Sequence, residues 1–202
     1  MTVTTLLGCI VEGHGEREAV PELVRRIAED VAIGTFVRIL PPFRIPKSRL
    51  MKDDELERAV TLLGRKVAPT GSILILIDAD DDCPGRLGPS LVGRARAARP
   101  DLPIGVAIAK REFESWFLAA AHSLRGTRGL PGDLEPPADP EEVRGAKEWL
   151  TARMGRRYVE TRDQPAFAAT FDLGIARRAD SFDKCYREVS RLLRAAAGGK
   201  TP

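Results

Sequence analysis

The run Ile73-Leu74-Ile75-Leu76-Ile77 passes without a break into Asp78-Ala79-Asp80-Asp81-Asp82. A strand that is apolar at odd and even positions alike must be covered on both faces. That is the situation of a central strand in a parallel sheet with helices above and below. The same run ends on acid, so it also predicts a cluster of carboxylates where the strand leaves the core.

The rest of the chain supplies neighbours for such a strand. Thr4 to Val11 reads as a first strand, with Gly13 and Gly15 making the turn. Ala19, Val20, Leu23, Val24, Ile27 and Val31 then recur at helical spacing. Gly34 breaks this helix, and Thr35 to Leu40 reads as a second strand. A basic loop follows, with Pro41, Pro42 and Pro46 among Arg44, Lys47 and Arg49. Asp53 or Asp54 is placed to cap a helix whose stripe is Leu56, Ala59, Val60, Leu63 and Val67. After the acidic run, Leu87, Leu91, Val92 and Ala95 predict another helix, and Ile104 to Ala109 a fourth strand. Alternating strands and helices indicate an α/β fold, a mainly parallel four-stranded sheet flanked by helices, with sites beyond the carboxyl ends of the strands.

From Arg111 onward the sequence reads as helical, with Phe113, Trp116, Phe117 and Ala120 on one core face. Helices are expected over Glu141 to Met154, Pro165 to Phe171 and Ser181 to Ala196, with Asp163 as an N-cap and the tail from Gly198 frayed. The organisation expected is an α/β core over 1–124, a Pro/Gly-rich connection over 125–140 and a helical C-terminal extension over 141–202.

Bulk properties exclude several classes. At 202 residues, 43% hydrophobic and 30% charged, the composition is that of a globular chain. No apolar run approaches the roughly 20 residues of a membrane span, and Leu6 to Val11 runs into Glu12 without the basic start of a signal peptide. Cys9, Cys83 and Cys185 are too scattered for a disulfide framework or a zinc knuckle, which suits a reducing cytoplasm. The net charge of +3 says little about partners.

Glu12 ends the first strand and Asp78 the central one. Neighbouring strands lie about 4.8 Å apart, so these carboxylates and Asp80 can converge on one ion. Crowded unpaired carboxylates repel unless a cation holds them, and hard oxygen donors suit Mg²⁺ or Mn²⁺. Asp82, Glu16 and Glu114 are further candidate ligands. Glu112 and Glu114, two residues apart, cannot both face inward, and Glu114 is preferred. Lys110 and Lys147 are candidates to neutralise a phosphate. A single Asp at a strand end is more often a helix cap or a solvated loop residue. An EF-hand loop is excluded because its Gly and distal Glu are missing from their places. No phosphate-binding P-loop sequence occurs, which argues against self-contained ATP hydrolysis.

Val11-Glu12-Gly13 followed by Ile77-Asp78-Ala79-Asp80 resembles the Toprim domain of topoisomerases, primases and OLD-type nucleases. Glu16 and Arg111-Glu112-Phe113-Glu114 are similar to further acidic elements of the OLD-type branch. The whole chain looks closer still to an uncharacterised bacterial family of Toprim-like proteins. It shares stretches like Val11-Glu12-Gly13-His14-Gly15-Glu16, Lys110-Arg111-Glu112-Phe113-Glu114 and Arg144-Gly145-Ala146-Lys147. The resemblance implies a Toprim/Rossmann-like fold and a Mg-dependent nuclease acting on DNA or RNA, working beside a separate ATPase in phage defence. Glu12, Asp78, Asp80 and Lys110 would then be catalytic, with Glu12, Glu16, Asp78, Asp80, Asp82 and Glu114 as metal ligands. Lys110 and Lys147 would bind phosphate. The sequence departs from the usual second motif, since Asp81, Asp82, Cys83 and Pro84 intervene before Gly85. Two other readings stay open. One is a non-catalytic subunit that docks on an ATPase through the Trp116 face or the final helix. The other is a metal-dependent phosphohydrolase for small nucleotides.

Overall fold

Strand β4 (Ser72–Asp78) lies at the centre of the sheet, where its two-faced apolar sequence requires it to be. The computed structural model describes residues 4–32, 34 and 36–198. β4 pairs in parallel with β1 (Thr4–Val11) on one side and β5 (Ile104–Ala109) on the other. Val11 stands level with Leu76, and Asp78 with Ala109. β2 (Phe36–Ile39) adds outside β1, giving the order β2-β1-β4-β5. Thr35 and the end of the tail, 199–202, lie outside the described residues.

The sheet has five strands rather than the four expected, because the basic loop contributes β3 (Phe43–Arg44). It pairs with Ile10 and Val11, further along the same edge of β1 that carries β2. Pro41 and Pro42 separate the two pieces, having no N–H to give to a ladder. On either side of them the pairing resumes. Leu40 N–H donates to Leu7 O at 2.9 Å, and Ile45 N–H to Val11 O at 2.8 Å. The broken edge strand thus carries the chain to the carboxyl end of β1 and sets the one-turn helix α2 (Lys47–Leu50) there.

Alternate side chains divide the core between the two faces. Ile73, Ile75 and Ile77, with Ile104, Val106 and Ile108, meet α3 (Glu55–Val67) and α4 (Pro84–Ala98). Leu74, Leu76, Ala107 and Ala109 belong to the opposite core, with α1 (Glu16–Asp30) and α9 (Asp180–Gly198). Each Leu or Ile so buried contributes about 1.5–3 kcal/mol.

The helix expected from Arg111 begins later. Arg111 takes φ +69° and α5 covers only Ser115–Ala119. Phe113, Trp116, Phe117 and Ala120 are buried as anticipated. Trp116 Nε1–H donates to Ser181 Oγ at 2.8 Å, and the Trp116 ring lies 5.3 Å from that of Phe182. This face is therefore internal and is not a docking surface for a partner.

The last third also differs in detail. Glu141 to Met154 is not one helix: a 3₁₀ turn at Pro140–Glu142 is followed by Gly145 at φ +74° and then α6 (Ala146–Met154). Glu112 Oε1 fixes this break by accepting N–H groups from Gly145 and Ala146 at 3.1 and 3.2 Å. α7 covers Glu160–Ala168, starting well before Pro165, and α8 is Leu173–Ala176. Asp163 is consequently inside α7 and not its N-cap. Its buried carboxylate accepts Val159 N–H at the helix start and pairs with Arg128, Arg156 and Arg162. Burial opposes its charge, but these bonds hold its pKa well below the usual carboxylate range. Among the described residues no helix is long and apolar enough to cross a membrane.

Candidate functional site

The carboxyl ends of β1, β4 and β5 gather the acidic residues in two groups that meet at Glu12. The inner group is Glu16, Asp78 and Glu114. Glu16 is the first residue of α1 and only 3% exposed. Its Oε2 accepts the N–H groups of Glu12 and Gly13, both at 2.8 Å. A negative charge is favoured at a helix N-terminus, yet burial dominates and pushes the Glu16 carboxyl up to about 7. Glu114 has no exposed surface, and its Oε1 accepts Tyr158 O–H at 3.0 Å and Gln164 Nε2–H at 3.2 Å. Burial pushes it too up to about 7, against the pull of the Lys147 charge. Asp78 is held well above the usual carboxylate range, first by burial and then by the charges of Glu16 and Glu114.

Lys147 is the cation of this inner group. Burial works against its charge, but Glu114, Glu160 and Asp78 together raise its pKa. Its Nζ pairs with Glu160 at 2.6 Å.

The outer group is Asp80, Asp82 and Lys47. Lys47 Nζ donates to Ala79 O at 2.6 Å and Asp80 Oδ2 at 3.0 Å, and pairs with Asp82 Oδ2 at 2.9 Å. Asp80 takes φ +51°, a left-handed conformation costly for a side chain with a Cβ. Its N–H donates to the carbonyl of the equally left-handed Arg111 at 3.0 Å, tying the loops after β4 and β5 together. Glu12 is half-buried between the groups. Burial and the Asp80 charge raise its pKa, while Lys47 opposes them.

Three carboxylate oxygens here are buried with no hydrogen-bond partner: Glu12 Oε2, Asp78 Oδ1 and Glu114 Oε2. Buried polar atoms are nearly always paired, so such orphans in one place mark a missing partner. All are hard oxygen donors, the type that holds Mg²⁺ or Mn²⁺. Among the described residues no group of three or more His, Cys, Asp or Glu side chains is placed to hold a metal ion as it stands. The acids are gathered, not drawn around a single point. In donor type and in unsatisfied oxygens Glu12, Asp78 and Glu114 suit a divalent ion, which would have to draw them together.

The other candidates are placed elsewhere. Lys110 Nζ is 2.5 Å from Glu142 and 41% exposed. Asp81 pairs with Arg111 and Arg144 at 2.9 and 2.8 Å. Glu112 turns away from Glu114, toward the start of α6. His122 faces Glu135 on the surface. Beside the inner group opens a cleft of about 690 Å³, with His14, Lys147, Thr151, Arg157 and Thr161 in its walls together with the acids Glu148 and Glu160.

Several residues of the site escape a reading of the sequence. Lys47 is visible there only as one charge of a basic loop, since no spacing rule joins position 47 to positions 80 and 82. Tyr158 falls between two expected helices of the C-terminal segment, and its hydroxyl serves Glu114. Only the Arg144-Gly145-Ala146-Lys147 stretch signals that the C-terminal segment contributes at all.

No curated protein matches the chain. A solved structure, the C-terminal region of the Xanthomonas campestris pv. campestris OLD protein, is similar over 96% of this chain and 94% of that one. It is 14% identical with a TM-score of 0.41, a likeness too loose to carry an activity across. A family model described as a domain of unknown function (DUF4276) matches residues 11–190. The chain belongs to the DUF4276 family.

Proposed function

We propose that this protein is a divalent-metal-dependent phosphodiesterase that cleaves nucleic acid at the carboxyl ends of β1 and β4. The observation that carries the reading is the set of three buried, unpartnered oxygens on Glu12, Asp78 and Glu114. The Toprim-like pattern of Glu12 with Asp78-Ala79-Asp80 points the same way. When bound, Mg²⁺ or Mn²⁺ supplies Lewis acidity toward a phosphoryl oxygen and makes bound water more acidic.

The chain's own residues supply the rest. Glu12, half-buried with a raised pKa, is the carboxylate that takes a proton from the attacking water. Lys147 stands by the inner group to offset charge gained by the phosphate. Among the cleft walls, Arg157 and His14 offer polar donors and Thr151 and Thr161 hydroxyls to a sugar-phosphate backbone, beside the acids Glu148 and Glu160, the latter paired with Lys147. Gln164 and Tyr158 hold Glu114 in place from behind.

The test is cleavage of labelled single- and double-stranded DNA and RNA with Mg²⁺ or Mn²⁺, with and without the product of any neighbouring ATPase gene. Asp78→Asn and Glu12→Gln should each lower cleavage at least about 100-fold, the usual scale of a lost acid–base group. Intact polymer in every lane, or equal cleavage by Asp78→Asn, would sink the reading. Turnover of free nucleotides alone would redirect it to a small-molecule phosphohydrolase.

A further inference from the structure

Two lysines approach the acidic cluster, and they do so in different ways. Lys147 acts from a distance, its ammonium bonded to Glu160 at 2.6 Å. Lys47 sits among the acids themselves. Its ammonium has three donors, and all three are used, on Ala79 O, Asp80 Oδ2 and Asp82 Oδ2 at 2.6 to 3.0 Å. Its side chain is only 11% exposed, whereas Asp80 and Asp82 are 62% and 61% exposed.

The placement is built into the backbone. β3 pairs with the end of β1, Ile45 N–H donates to Val11 O at 2.8 Å, and Pro46 precedes Lys47 at the start of α2. The lysine is therefore delivered to the acid loop by the sheet and not by a free surface arm. The unsatisfied carboxylate oxygens, by contrast, lie on Glu12, Asp78 and Glu114, and Glu114 has no exposed surface at all. In the outer half a cation is bonded directly to the acids, whereas in the inner half Lys147 is bonded to Glu160 and carboxylate oxygens are left without a partner.

We propose that Lys47 is a built-in cation: its ammonium occupies the outer half of the acidic site between Asp80 and Asp82, so the chain takes one divalent ion, in the inner half. This rests on the metal reading above and sharpens it. Two-metal phosphodiester enzymes place their ions about 3.5–4 Å apart. Here the position of an outer ion is filled by a group covalently attached to the protein, which cannot dissociate. A +1 charge there also disfavours a second +2 ion beside it.

The experiment counts Mn²⁺ bound to the purified full chain, by electron paramagnetic resonance of free Mn²⁺ and by calorimetry. The native chain should bind one ion. Lys47→Met should bind two, and adding Asp82→Asn to it should restore one. Lys47→Gln keeps a donor for the Ala79 carbonyl without the charge, and should also bind two if the Met variant fails to fold. In the otherwise native chain, Asp78→Asn should weaken Mn²⁺ at least tenfold and Asp80→Asn less than threefold, a comparison that leaves Lys47 untouched. Two ions on the native chain, one on both Lys47 variants, or equal losses at Asp78 and Asp80 would overturn the inference and leave the metal reading standing. No ion on the native chain or on any variant would sink both.

Discussion

Glu114 shows how far one buried acid can shape the behaviour of the molecule. Its carboxyl has no exposed surface, one oxygen is bonded to Tyr158 and Gln164, and the other is unpartnered. With its pKa pushed up to about 7 by burial, the folded chain holds this proton more tightly than the unfolded chain, where the group titrates near 4.5. The stabilisation is complete below about 4.5 and is lost as pH rises toward 7. Urea denaturation of metal-free protein between pH 4.5 and 8 should therefore show stability falling with pH. Glu114→Gln, which cannot ionise, should flatten that slope, and an unchanged slope would mean that the burial cost lies elsewhere. At this scale the sequence was legible where residue type and strand end coincide. Glu12 and Asp78 are of that kind, whereas the choice of Glu114 over Glu112 was argued from a shared helix that begins only at Ser115. The sequence was silent on Lys47, Tyr158 and Gln164, whose roles depend on partners 30 to 50 positions away.

Among elements, the telling contact is between the start of α1 and the start of α7. Gly15 has ordinary helical backbone angles, so nothing about its φ demands glycine. Space does: a Cβ there would lie 2.3 Å from Gln164 Oε1 and 2.7 Å from Glu160 O. The Gln164 side chain can swing aside, but the Glu160 backbone cannot without moving α7. Gly15→Ala should cost about 1–3 kcal/mol of stability, the usual scale of overpacking, read from the urea midpoint. Because Glu160 holds Lys147 and Gln164 supports Glu114, the same substitution should weaken Mn²⁺ binding although it removes no ligand. A shifted midpoint with unchanged Mn²⁺ affinity would show the helix contact and the site to be independent. The Gly-His-Gly turn was readable in the sequence as the end of β1, but its packing role was not. Nor was β3, since two residues between prolines leave no period to detect.

At the scale of the whole molecule, both sheet faces are covered by helices, and α9 brings the end of the chain back onto β5, β4 and β1. The strand–helix alternation of the first half foretold this layering, because each element there carries its own periodic stripe. The aromatic cluster that joins α5, α7 and α9 was less readable. Phe117 lies about 50 residues or more before Phe167, Phe171 and Phe182 and meets Phe167 and Phe171 edge to face only once the chain has closed. Among the described residues no strand pairs with the outer side of β2, where Phe36 is 63% exposed. Open strands with apolar side chains invite pairing between molecules. The two prolines that divide β2 from β3 leave that margin as a four-residue strand and a two-residue one, too short and too interrupted to template a neighbour. Replacing them together, Pro41→Val with Pro42→Thr, should join the pieces into one continuous border. The variant should then elute as dimers and larger species at concentrations where the native chain does not, and an unchanged elution profile would show that the prolines serve only to aim the loop. The kink that brings Lys47 to the acids would thus also protect the protein from self-association, so selection for solubility and selection for the site would act on the same two residues.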